Sequence, residues 1–179
     1  MKRILFFVAG LLMLVSCEED PFRAFMNKGS YSPSSGMIWD IGPVEIILDV
    51  TDRDGNSLFD ESTPGNWLST PFSATFEGQE FTWPAYLPWA QTKAYLATLR
   101  GFYVFPSWYM PTNTYLRFGE LDGTKTWDTD LRIAWPDGSK DRIRVQHAFR
   151  WDQNGYPDQY TGFKLNGVPV SGNIIHLKK

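Results

Sequence analysis

Four carboxylates crowd one short stretch, Glu120, Asp122, Asp128 and Asp130, and a pair of carboxylates at the right separation is what glycosidic-bond hydrolysis requires. Acids gathered around a glycine-containing turn are more often a solvated loop, so glycoside hydrolysis stands as a minor alternative. The two histidines, His147 and His176, share no spacing that suggests a triad or a common metal. His147 falls within an apolar alternation and is expected to be a packed, hydrogen-bonded core residue. His176 lies three residues from the last and is expected to fray. The chain carries no Gly-x-Ser-x-Gly elbow, phosphate-cradling glycine loop or dinucleotide fingerprint. The expectation is a protein without catalytic activity, cofactor or metal.

Calcium is the nearest metal candidate. Asp52, Asp54, Gly55 and Glu61 fall at positions three, five, six and twelve of an EF-hand loop, but position one is Val50, which has no ligating side chain and belongs to a strand. A β-turn is the expected structure, with a looser site of Asp49, Asp52 and Asp54 as the alternative. Binding chemistry has better candidates. Arg132, Arg142, Arg144 and Arg150 share the polar face of two alternating segments. If Trp135 pairs with Asp141, Arg132 faces Arg144, a like-charge pair that a neighbouring Asp or Glu, or an anionic glycan, would relieve. Trp83-Pro84, Pro88-Trp89 and Pro106-Ser107-Trp108-Tyr109-Met110-Pro111 set large rings beside prolines. Rings held on stiff loops stack on sugar faces, so Trp89, Trp108 and Tyr109 are ligand-binding candidates together with Arg132 and Arg144. The competing expectation is that these rings plug the end of a core.

The only cysteine, Cys17, follows a charged start, Met1-Lys2-Arg3, and an apolar run from Ile4 to Val15. This has the layout of a secretory signal, and the run is shorter than the ~20 residues a membrane-spanning helix needs. Leu14-Val15-Ser16-Cys17 resembles the lipobox of bacterial lipoprotein precursors. The resemblance implies removal of residues 1–16 and acylation of Cys17, with several acyl chains holding the protein to a membrane. No thiol is then left for a disulfide, a zinc site or a nucleophile. Glu18-Glu19-Asp20 resembles in composition the acidic segment behind the lipidated cysteine of surface-exposed Bacteroidetes lipoproteins, the plainer reading being a solvated charge run.

Without Lys2 and Arg3, fifteen basic side chains face 20 acidic ones, a poor balance for nucleic-acid binding. About 160 remaining residues suit one domain with a real core. Aromatic residues form 16% of the chain, eight of them Trp, which favours strands.

The elements that must position these side chains are short and alternating. Residues 17–38, with Pro21, Gly29, Pro33 and Gly36, read as the lipidated N-terminus and a flexible tether, holding the domain ~25 Å from the lipid on average. Residues 39–179 read as a single domain. Val44, Ile46, Leu48 and Val50 alternate with Glu45 and Asp49, the pattern of a half-buried strand. Phe72 to Phe76 and Phe81 to Trp83 flank Glu77-Gly78-Gln79 as a hairpin. Residues 86–100 fit helix and strand about equally and are read as strand from context. Phe102 to Phe105, Tyr115 to Phe118, the arms around Pro136-Asp137-Gly138-Ser139, and Phe163 to Val170 around Asn166-Gly167 complete the set, with Ile174 to Leu177 last. About eight strands imply an all-β fold, an antiparallel β-sandwich, immunoglobulin-like or similar, with a partly open β-barrel as the alternative.

Segments such as Asp49 to Gly55, Phe118 to Gly123 and Ile133 to Ser139 resemble those of small Bacteroidetes surface lipoproteins. The resemblance implies a β-rich envelope domain and brings no activity with it. The expected function is a lipid-anchored binding or accessory module of the cell envelope, in the outer membrane and facing either outward or the periplasm, with a glycan or envelope-protein partner. The alternative is a structural or assembly subunit docking on a partner protein through a sheet edge.

Overall fold

A computed structural model describes residues 19–84, 101–104 and 114–179. The elements are α1 (Pro21–Met26), β1 (Val44–Thr51), β2 (Phe72–Phe76), β3 (Gln79–Trp83), β4 (Gly101–Val104), β5 (Leu116–Leu121), β6 (Trp127–Ala134), β7 (Lys140–Trp151), β8 (Pro157–Leu165), β9 (Val168–Pro169) and β10 (Ile174–Lys178). They form two sheets, β10-β1-β5-β4 and β3-β2-β6-β7-β8-β9. All pairings are antiparallel except that of β1 with β10, which is parallel. The architecture is an all-β sandwich and is not closed into a barrel. Residues 86–100 and the proline-bracketed loop 106–111, with Trp89, Trp108 and Tyr109, lie outside the described residues, as does Cys17.

Alternation dictates the sandwich. In β1 every second residue, from Val44 to Val50, is buried and the others are half-buried. Strands of this kind must cover one face, and two sheets cover each other. Phenylalanines join them across the core: Phe72 meets Phe102 at 5.0 Å and Phe76 meets Phe118 at 5.4 Å between ring centroids. Burying each such ring contributes ~1.5–3 kcal/mol. Trp83, grouped with the loop aromatics above, belongs to this core. Its ring is buried, and Nε1 donates to the Trp67 carbonyl at 3.0 Å.

The β6–β7 turn corrects the expected register. Trp135 N–H donates to Ser139 O at 2.9 Å, with Gly138 at φ +82°. This is a three-residue loop ending in a left-handed residue, tighter than the one that pairs Trp135 with Asp141. The strands slide by two positions, so Arg132 faces Arg142 and Arg144 faces Asp130.

The segment expected to be a free tether is fastened down. Asp20 caps α1, accepting from Phe22 N–H at 3.0 Å and Arg23 N–H at 3.4 Å. Phe22 and Phe25 are buried against Ala148 and Tyr160, on the face of β7 and β8 that points away from the main core. Beyond the helix, Trp151 N–H donates to Ser30 Oγ, Tyr31 N–H to Trp151 O and Ser34 N–H to Gly155 O. A Cβ on Gly155 would fall 2.4 Å from Ser34 N, so only glycine lets the strap pass. The sequence feature behind this is the pair Phe22 and Phe25, three apart and therefore on one helical face.

His176 is likewise held. It sits in β10 with Nδ1 2.7 Å from Asp49 Oδ2, because the parallel pairing with β1 places those two residues opposite each other.

Candidate functional site

The outer face of the six-stranded sheet collects the charged residues that the alternation left outward. Thr75, Arg132 and Arg142 form one row across β2, β6 and β7, and Ser73, Ala134 and Lys140 the row beside it. On the other side, Asp130, Arg144 and Lys164 form a row across β6, β7 and β8. A shallow depression of about 380 Å³ lies over the first two rows, lined by Ser73, Thr75, Arg132, Lys140 and Arg142. A second, of about 300 Å³, holds Thr75, Asp128, Asp130, Arg132 and Arg144.

Arg132 and Arg144 do come together, through a shared carboxylate. Arg144 Nε donates to Asp128 Oδ1 at 2.8 Å and its Nη1 lies 3.6 Å from Asp130 Oδ1. Arg132 Nη2 reaches Asp130 Oδ2 at 3.2 Å. The hydrogen bond it donates to Asp128 holds the Arg144 guanidinium above its ordinary pKa. Asp128 and Asp130 are thus counter-ions of the arginines. Asp122 is used in its own turn, accepting from Thr124 N–H at 2.9 Å, and the Thr124 bonds hold its carboxyl below the usual range.

Arg142 and Lys140 pair with no carboxylate among the described residues. Both are exposed, and Arg142 stands directly across the strand pair from Arg132. Opposed like charges destabilise by roughly 0.2–1 kcal/mol, and an anion seated between them would remove that penalty. Lys164 is balanced differently, by Asp20 of the strap at 3.3 Å. Asp20 overcomes a small desolvation and lies below the ordinary carboxylate range through Lys164 and its cap bonds. Glu18-Glu19-Asp20 therefore contributes at least one residue to the fold itself.

Sequence reasoning placed Arg132, Arg142 and Arg144 on this face but missed Lys140, Lys164, Ser73 and Thr75. Lys140 continues the same period-two series backwards, and Lys164 alternates with buried Phe163, so both were readable. The rows that join them required the register.

The other polar centres are self-contained. His147 is fully buried, with Nε2 2.9 Å from Gly123 O and Nδ1 2.8 Å from Thr161 Oγ1. The carbonyl can only accept, so Nε2–H donates to it, and Nδ1 shares a hydrogen bond with the Thr161 hydroxyl. This is the packed histidine that the alternation predicts. In the Asp52 turn, Oδ1 accepts from Asp54 and Asn56 N–H, both at 2.9 Å, and no metal-ligating cluster occurs among the described residues. On the four-stranded sheet, Glu45 accepts from Tyr103 Oη and Arg117 Nη1, and burial followed by Glu45 pushes the Tyr103 phenol up.

No family model matches the chain, and no curated protein or solved structure matches it.

Proposed function

We propose that the protein is a lipid-anchored, non-catalytic binding module of the cell envelope whose ligand is an acidic glycan. One observation carries the ligand class. Arg132 and Arg142 face each other across β6 and β7 beside Lys140, over a depression edged by the hydroxyls of Ser73 and Thr75. Cations with adjacent hydroxyls suit a carboxylated or sulfated sugar, since guanidinium binds such anions through two parallel N–H donors. Asp128 and Asp130 hold Arg144 in place beside the notch, which makes it a positioning residue. Trp89, Trp108 and Tyr109 join the reading through their proline-flanked sequence context, as rings for sugar faces. The lipid anchor at Cys17 and the outer-membrane address rest on the lipobox.

The test is a panel of neutral and acidic oligosaccharides titrated against the wild type, Arg132→Ala with Arg142→Ala, and Trp108→Ala with Tyr109→Ala. Preferential binding of acidic members, lost in the arginine double variant, supports the reading. Equal binding of neutral and acidic members, or no change in the arginine variant, overturns the acidic class. Retention by the Trp108, Tyr109 variant removes those two rings from the site.

A further inference from the structure

From the strap we infer that the outer face of the six-stranded sheet is held against the membrane, with Arg23 and Arg142 turned toward anionic lipid headgroups. The inference rests on the proposed acylation of Cys17. A free tether over residues 18–38 would hold the domain some 25 Å away on average, but the strap is already bound to the domain from Asp20 onward. Asp20 caps α1 and pairs with Lys164, Phe22 and Phe25 are buried, and hydrogen bonds from Trp151, Tyr31 and Ser34 fasten the residues that follow. Between the proposed acylation site, Cys17, and Asp20 lie three peptide links. At 3.3–3.6 Å per residue these reach at most ~11 Å.

The attachment point also sets the side that faces the lipid. Arg23 borders a depression of about 350 Å³ together with Arg142, Arg144 and Lys164 on the outer face of β7 and β8. There Asp128 and Asp130 balance Arg144 and Asp20 balances Lys164, leaving Arg23 and Arg142 as the excess positive charge. Arg23 is exposed and, like Arg142, pairs with no carboxylate among the described residues. Basic residues close to an anionic surface are attracted to it over about a Debye length, ~8 Å at physiological ionic strength, comparable to this leash. The short chain and the charge thus act on the same corner. The notch shares Arg142 with this corner, so an acidic ligand would be met at the bilayer surface.

The acylated full-length protein, reconstituted in vesicles of phosphatidylcholine and phosphatidylglycerol, tests this by energy transfer to an acceptor-labelled lipid. Acylation leaves no free thiol, so a donor can be placed at Thr75→Cys on the outer face of the six-stranded sheet or at Lys178→Cys on the opposite sheet. Sheets pack ~10 Å apart, so the Thr75→Cys donor is expected to transfer about twofold more than the Lys178→Cys donor. Phe22→Ser with Phe25→Ser should bring that ratio to about one by releasing the strap. A Gly/Ser insertion of about twelve residues between Glu19 and Asp20 should do the same while leaving every strap contact intact. Equal transfer from both donors in the otherwise unaltered protein overturns the inference. Failure of the protein to float with vesicles, unchanged by Cys17→Ser, overturns the anchor and the inference with it, whereas glycan titration of the notch is read separately.

Discussion

His147 and Asp141 show how single side chains hold the sandwich. His147 has both ring nitrogens bonded inside the protein, and the approach to Gly123 leaves no room for a side chain there, since a Cβ would fall 2.2 Å from Gly42 O. His147→Ala should therefore cost ~2–4 kcal/mol in chemical denaturation, through the cavity and the unpaired Gly123 carbonyl. Asp141 accepts from Trp135 Nε1 and Asn166 Nδ2, each at 2.7 Å, and from Lys179 Nζ. Burial works against its charge, yet those donors, Lys179 first, keep its carboxyl below the ordinary 3.8. A depressed carboxylate contributes its stability above the unfolded pKa and loses it as pH falls through the folded value. Asp141→Asn should destabilise by ~1–3 kcal/mol at pH 7, and the gap to wild type should close below pH 3.8 in melts taken across the acid range.

Element boundaries were legible where local chemistry decides them, and blurred where partners do. The alternation of β1, the Asn166-Gly167 turn and the β2–β3 hairpin can be read residue by residue, because period two and left-handed turn residues are local properties. The register of β6 with β7 turned on whether the loop closes over three residues or five, and that is set by Gly138 at the left-handed position. The strap was hidden because six helical residues are too few to form a helix alone. Phe22 and Phe25 find their partners on the outer face of β7 and β8, at Ala148 and Tyr160. Phe25→Ala should leave the main core intact and lower the protection of the Ala24–Lys28 amides in hydrogen exchange, with ~1–3 kcal/mol of local stability lost. In the other hairpin turn, Glu77 and Gly78 have φ +49° and +75°, both in the left-handed region. A glutamate is disfavoured there and an asparagine is tolerated. Glu77→Asn should stabilise by ~0.5–1 kcal/mol, read as a rise of a few degrees in Tm.

At the scale of the whole molecule, an acidic chain gathers basic side chains on one face of one sheet, beside the point where the strap enters, and two of them, Lys140 and Arg142, pair with no carboxylate among the described residues. Part of that site was visible beforehand, since Arg132, Arg142 and Arg144 alternate outward in a plain period. Lys164 and the strap could not be joined to them from sequence, because Lys164 meets Arg144 only through a pairing twenty residues apart and the strap through a helix docked from elsewhere. The central claim, that Arg132 and Arg142 form an anion-binding notch, is tested most directly by calorimetric titration of an acidic oligosaccharide into the full-length protein at two salt concentrations. Saturable binding that weakens with salt is expected, and it should fall at least about tenfold in Arg132→Ala with Arg142→Ala while the variant still unfolds cooperatively. Binding of the same strength in that variant would contradict it.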